Sequence, residues 1–304
     1  MIAAEARTAL RNLLAERVRF NALLGRFTSL GVGGPADALA VPETAEEVEA
    51  LVRLCAEHDV PLHVFGGGFN TLVLDGGIEG VAMRTQRLRE IEVSRGGLLY
   101  AEAGVSHSQV TRVCQERGLA GLEFSAGIPG SVGGWVTMNA GIPEHEVGPL
   151  VAEIRVATPS DGTMWIGRDE LRFEYRGVSG IPAGAVVLAA HFQLEEGNRE
   201  QIRIEIDRHL AHRRKTQPID QQSCGSVFKN PPGEHAGSLI EAAGLKGARE
   251  GGAQISSLHA NFIVNTGNAT AADVIALIER AQHAVREQRG IELIPEAHVV
   301  GRPG

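Results

Sequence analysis

The chain has 304 residues, with 29 Lys+Arg against 37 Asp+Glu and a formal net charge of -8, a balance that argues against holding nucleic acid by bulk charge. The length suits a two- or three-part enzyme, and 43% hydrophobic with 22% charged residues excludes wholesale disorder. Aromatic residues are only 4%, too few for base-stacking platforms. Glycine is in excess: 38 are present where average usage gives about 21. They follow no repeat, so they mark tight backbone sites rather than low complexity. Cys55, Cys114 and Cys224 form no C-x-x-C pair, which points to reduced thiols and a cytoplasmic setting.

The N-terminus carries Glu5, Arg7, Arg11, Glu16 and Arg17 through its apolar stretch. Met1 to Arg19 therefore reads as an amphipathic helix, not a signal segment, and no uncharged run approaches a membrane span. Thr44-Ala45-Glu46-Glu47 is a capping box ahead of Val48, Leu51, Val52 and Cys55, a helix ending near His58. Leu62 to Phe65 is a strand that runs into Gly66-Gly67-Gly68, followed by extended Asn70 to Leu74 and Gly80 to Met83. A hairpin turns at Arg95-Gly96-Gly97. Ser106 and Gln109 open a helix that stops at Gly118. Strands follow at Leu150 to Val156, Thr163 to Ile166 and Ala185 to Leu194, and Glu195 to Asn198 reads as a linker. A charged helix with Ile202, Ile206 and Leu210 inside ends at His212 to Lys215. Then come strand Ser226 to Phe228, helix Ala236 to Ala243, strand Asn261 to Val264, a helix capped by Thr270, and a last extended segment, Ile291 to Val300.

Two glycine loops stand out. Gly66-Gly67-Gly68-Phe69-Asn70-Thr71 follows a strand, so its N–H groups can converge on a phosphate. Taken alone, a tight turn is the commoner outcome. No helix has room to follow it, which excludes Rossmann and P-loop geometries. The second loop runs from Ala126 through Gly127, Pro129, Gly130, Ser131, Gly133 and Gly134 to Asn139 and Gly141. A glycine-rich helix contact competes there. Together the two loops suggest an extended ligand whose pyrophosphate is held by main chain.

These loops resemble the FAD-binding domain of vanillyl-alcohol-oxidase-like flavoenzymes. Tyr175-Arg176, Cys224 to Pro231, Gly251 to Gln254, His259 to Asn265 and Leu293 to Glu296 narrow the resemblance to the UDP-N-acetylenolpyruvoylglucosamine reductase family, in its shorter subclass. It spans about Phe27 to Gly301. The family usually has Ser where Phe69 stands and a small residue where Trp135 stands. The resemblance implies an α+β protein, with a two-subdomain FAD-binding fold and a smaller C-terminal α/β substrate domain. The expected divisions are 1–80, 81–196 and 197–304.

The activity implied is reduction of an enolpyruvyl ether to a lactyl ether, with FAD and NADPH as cofactors and a nucleotide sugar as substrate, in peptidoglycan synthesis. Charge builds beside the substrate carboxylate, so the chemistry needs a cation or acid there and a proton donor at the adjacent carbon. By the family match, Arg176 and Glu296 take the first role and Ser226 the second. Gly66, Gly67, Gly68, Phe69, Asn70, Thr71, Gly127, Pro129, Gly130, Ser131, Gly133, Gly134 and Asn139 would hold the cofactor. Tyr175, Lys215, Lys229 and Asn230 would contact the substrate. Without that context, Arg176 is an ordinary surface arginine and Ser226 the end of a turn. His209 and His212 read as a solvated helix face, so no metal is expected. A monomer that binds neither nucleic acid nor membrane is the expectation. The rivals are a related FAD-dependent alcohol or sugar oxidase and a non-catalytic nucleotide-sugar binder.

Overall fold

A computed structural model describes residues 2–304; Met1 of the expected first helix lies outside them. The residues form two compact units: 1–20, 37–67 and 80–212 make the first, and 21–36, 68–79 and 213–304 the second. The chain passes between these units at 20/21, 36/37, 67/68, 79/80 and 212/213, so residues 1–80 contribute to both, and the last of these points falls inside the helix Arg199–Thr216.

In the first unit, α1 spans Ala4–Leu14, shorter than expected. Ala15 enters φ 49°, and Val18–Leu23 is a strand. The reason is local: Val18 and Phe20 alternate with polar residues at period two, which suits a pleat. Arg7 and Arg11 of α1 place their guanidinium carbons 4.1 and 5.1 Å from the Phe20 ring, a cation–π clamp. α2 is Ala45–Glu57, and Thr44 accepts from the Glu47 amide. The Glu47 carboxylate turns instead to Arg17, at 2.5 and 2.6 Å. Leu10, Leu14, Val48, Leu51 and Met83 share one core.

Five antiparallel strands form the first unit's large sheet. Their order is Gly162–Gly167, Val151–Thr158, Val186–Gln193, Leu98–Glu102, Ile91–Val93. α3, His107–Arg117, starts at a reciprocal Ser106/Gln109 cap and ends on left-handed Gly118. α4, Val132–Thr137, puts Trp135 and Val136 in a core with Val110, Ile154 and Phe192. Sequence patterning missed the short hairpin Arg172–Glu174 and Gly177–Ser179. The presumed linker forms two further β residues, Glu195–Glu196, paired with Leu119–Ala120. α5 covers Arg199–Thr216 and buries only Ile202 and Ile206.

The second unit holds an antiparallel sheet in the order Gln222–Ser226, Phe262–Asn265, Ala253–Ile255, Arg249–Glu250. α6, Ala236–Ala242, and α7, Ala271–Arg289, pack on it through Leu239, Ile240, Val274, Leu277 and Ile278. Thr71–Val73 and His298–Val300 pair in parallel. Asp75 accepts from the Ala271 and Ala272 amides at 2.9 Å each, adding a second acceptor to the capped start of α7. No helix among the described residues is long and apolar enough to cross a membrane.

Candidate active site

The strand Leu62–Phe65 lies parallel to Ile78–Arg84 and delivers the first glycine loop. Gly68 takes φ +67°, and a Cβ there would sit 2.5 Å from the Phe27 carbonyl oxygen, so the position requires glycine. Both the amide and the hydroxyl of Ser29 donate to Gly68 O at 3.0 Å, which fixes the turn. In the first unit the N–H groups of Gly66 and Gly67, and in the second those of Gly68, Phe69 and Asn70, donate to no acceptor among the described residues. Uncommitted amides are what an anion needs.

In the first unit, the second loop meets Gly66. A Cβ on Gly66 would come 2.6 Å from Ser131 Oγ. Ser131 is 4% exposed, yet among the described residues its hydroxyl finds no partner, and neither does the buried indole Nε1 of Trp135. Such orphaned donors cost free energy unless a ligand or water pairs with them. Gly134 has nothing within 4 Å of where its Cβ would be, whereas Gly133 presses against Ala103. The helix-packing explanation therefore holds for Gly133 and fails for Gly134. These residues suit a phosphate-bearing cofactor such as FAD: backbone donors, one buried hydroxyl and space beside glycine.

Asn139 behaves differently from the expected cofactor contact. It is wholly buried at φ +43°. Its amide donates to Glu146 at 2.6 Å and Glu174 O at 2.9 Å, and its carbonyl accepts from Gly148 N at 2.9 Å. The side chain is spent on tying the loop to its neighbours. Arg176 sits in the two-residue turn of the missed hairpin at φ +58°. Its guanidinium donates to Gly141 O at 3.1 Å, lies 3.9 Å from Glu146 and 4.8 Å from the Tyr175 ring. Glu146 is the residue sequence reasoning missed here, since nothing in its spacing ties it to position 176.

In the second unit, Ser226 closes its strand after a bulge. Ser223 stands opposite Val264 and Ser226 opposite Phe262, so one extra residue is inserted. Gly225 absorbs it at φ +80°, a bulge that re-aims the next side chain. Glu296 is brought close by main chain: its amide donates to Val227 O at 2.7 Å, and Asn70 Nδ2 donates to its carbonyl at 3.1 Å. Asn70 O in turn accepts from His298 N at 3.0 Å. The structure thus gathers Ser226, Glu296 and Asn70 around one strand end. Lys229 follows at once, and its charge, after burial, helps push the His298 pKa down. Asn230 is committed through Oδ1 to the Ala236 amide at the start of α6, at 3.0 Å. Lys215 is exposed in the last turn of α5. Cys224, two residues before Ser226, is buried, and its thiol pKa is pushed up to about 11 by burial with a smaller push from Glu296. It is no nucleophile.

The fold and these sites define a flavin-dependent oxidoreductase. Residues 36–167 match the family model of the FAD binding domain, and residues 217–300 match that of the UDP-N-acetylenolpyruvoylglucosamine reductase C-terminal domain. Among curated proteins, the UDP-N-acetylenolpyruvoylglucosamine reductase of Syntrophus aciditrophicus is 44% identical over 299 residues, covering 97% of this chain and 96% of its own. That of Alkalilimnicola ehrlichii is 44% identical over 278 residues, covering 91% and 93%. The crystal structure of UDP-N-acetylenolpyruvylglucosamine reductase from Thermus caldophilus superposes with a TM-score of 0.79 at 36% identity, over 93% of this chain and all of that one. Phl p 4.0202, a glucose dehydrogenase, shares the fold alone, with a TM-score of 0.52 at 13% identity over 64% of this chain and 44% of its own. The chain belongs to the UDP-N-acetylenolpyruvoylglucosamine reductase family.

Proposed function

We propose that this chain reduces the enolpyruvyl ether of UDP-N-acetylglucosamine enolpyruvate to the lactyl ether of UDP-N-acetylmuramate, consuming NADPH. The observation that carries this reading is the tie between Ser226 and Glu296. The Glu296 amide donates to Val227 O at 2.7 Å, and Val227 directly follows Ser226, within the segment that matches the reductase C-terminal domain. FAD, when bound, would supply the hydride-transfer chemistry between NADPH and the substrate.

The chain's own residues do the rest. The hydride adds to one carbon of the double bond, and the freed electron pair moves toward the other carbon and the carboxylate. Arg176 offers a permanent, planar charge matched to that carboxylate. Glu296 serves there as an acid or by orienting another donor. Ser226 gives its hydroxyl proton to the carbon, closing the new C–H bond, and is reprotonated from solvent. A hydroxyl is a weak acid, so the transfer needs the more basic carbanion and a site that excludes water. Tyr175, Lys215, Lys229 and Asn230 are assigned to the nucleotide sugar, with Lys215 and Lys229 facing its diphosphate by charge. The uncommitted amides of Gly66 to Asn70 and the Ser131 hydroxyl are assigned to the FAD diphosphate. Three buried, unpaired thiols favour a reducing cytoplasm, and a monomer suffices for the reaction.

The test is anaerobic half-reaction kinetics on the holoenzyme. NADPH should bleach the yellow protein, and one equivalent of the enolpyruvyl substrate should restore its colour. Ser226→Ala should keep FAD and the first half-reaction but slow the second by about 10²–10⁴-fold. A reduced wild-type enzyme that the substrate does not reoxidise would refute the assignment.

A further inference from the structure

Ser226 is followed by a segment that the sheet does not hold in the usual way. Its strand is broken by the bulge at Cys224 and Gly225, and Phe228 stands opposite Pro295 in an isolated bridge. Proline has no N–H to offer the Phe228 carbonyl. A side chain supplies what the ladder lacks. Asn261 is 4% exposed; its Oδ1 accepts from Phe228 N at 2.9 Å, and its Nδ2 donates to Phe228 O at 2.8 Å. Its own main-chain carbonyl accepts from Val227 N at 2.8 Å. Asparagine is suited to this because its amide carries an acceptor and donors on one planar group.

The clamp reaches both residues assigned to proton chemistry. Val227 N is bound to Asn261, while Val227 O accepts the Glu296 amide at 2.7 Å. Phe228 is held by Asn261 and lies beside Pro295. Of the two residues clamped by Asn261, Val227 directly follows Ser226 and accepts from the Glu296 amide, and Phe228, the next residue, stands opposite Pro295. Asn261 is itself fixed, since its N–H donates to His259 Nδ1 at 3.2 Å. His259 in turn packs edge-on against Phe262, with ring centroids 5.0 Å apart.

We propose that Asn261 is a positioning residue for substrate reduction, holding the Ser226 hydroxyl and the Glu296 carboxylate in register by clamping Val227 and Phe228. The inference rests on the role given above to Ser226. A shift of a few tenths of an ångström at a proton donor lowers the rate of the step it serves and leaves steps that do not use it alone.

The experiment uses FAD-loaded Asn261→Ala and Asn261→Asp, each alone and combined with Ser226→Ala, in anaerobic stopped flow. Asn261→Asp keeps the volume and one acceptor, so it carries the test should the alanine variant not fold. Reduction by NADPH should stay within about twofold of wild type, and reoxidation by substrate should slow about 10- to 100-fold. In the Ser226→Ala background the same substitutions should cost less than about threefold more, because residues that act through one group are not additive. Equal losses in both half-reactions, or a full multiplicative loss on top of Ser226→Ala, would overturn the proposal. Failure of the wild-type reoxidation control strikes the assigned reaction instead, so the two failures are distinguishable.

Discussion

Gly66 and Ser131 face each other so closely that a methyl group on Gly66 would stand 2.6 Å from the serine oxygen. Gly66 does not adopt a positive φ, so its backbone tolerates alanine, and the only obstacle is a small hydroxyl. Gly66→Ala should therefore fold normally while displacing Ser131 from the place proposed for it at the FAD diphosphate. Fluorescence titration of apoprotein with FAD should show affinity weakened at least about tenfold, the equivalent of about 1.4 kcal/mol. Unchanged affinity would remove this pair from the cofactor site.

Gly134 offers the complementary case. It lies within α4 with open space where its side chain would be. Alanine there improves helix propensity by up to about 1 kcal/mol and meets no protein atom. Thermal unfolding of the apoprotein should be unchanged or raised by Gly134→Ala, and FAD binding should weaken. A variant that binds FAD as wild type does would show that the space beside Gly134 stays empty in the holoenzyme.

Arg176 holds Gly141 O at 3.1 Å and stacks over Tyr175, both uses of a planar, multi-donor head group. Lysine bears the same charge and the same backbone strain at φ +58°, so Arg176→Lys isolates the fork. Reoxidation by the enolpyruvyl substrate should slow about 10- to 100-fold, with reduction by NADPH much less affected. Wild-type reoxidation in the lysine variant would mean that charge alone suffices.

His259 titrates below the ordinary histidine range, first because it is buried and further because Lys246 is near. The unfolded chain then takes up the proton first as pH falls below about 6.5. More protons on the unfolded state mean stability that rises with pH. This group's contribution is intact above that pH and is lost toward the lower folded value. Urea unfolding of wild type should show stability dropping as pH falls below about 6.5, by at most about 1.4 kcal/mol per pH unit from this group. His259→Asn keeps an acceptor near Asn261 and should flatten that part of the profile. An identical pH dependence in the variant would assign the drop to other groups.

Much of the architecture was legible because its signals are local. Thr44, Ser106 and Thr270 cap the helices expected of them, since a hydroxyl and the amide it accepts from are only three residues apart. Gly118 ends its helix in the left-handed region. The N-terminal helix was overdrawn because its charges continue into Val18–Leu23, where period-two burial overrides helical composition. The hairpin carrying Arg176 escaped notice because each arm has three residues, too few for periodicity to register.

At the site, the residue types were readable and their partners were not. The order of motifs gave the family, and with it the glycine loops, Ser226 and Glu296, because chemistry restricts which residues occupy those places. Nothing in one dimension joins Glu146 to Arg176, Asn261 to Phe228, or Asn139 to the 174 carbonyl, since that ion pair and those hydrogen bonds span many intervening residues. The sequence by itself determined the helix boundaries with caps, the glycine turns and the chemical inventory, all consequences of interactions within a few residues. Only the tertiary structure decided that Asn139 braces the protein, that Ser131 is left without a partner, and that one asparagine amide completes the strand beside Ser226. Each depends on which distant donors and acceptors burial forces to be satisfied.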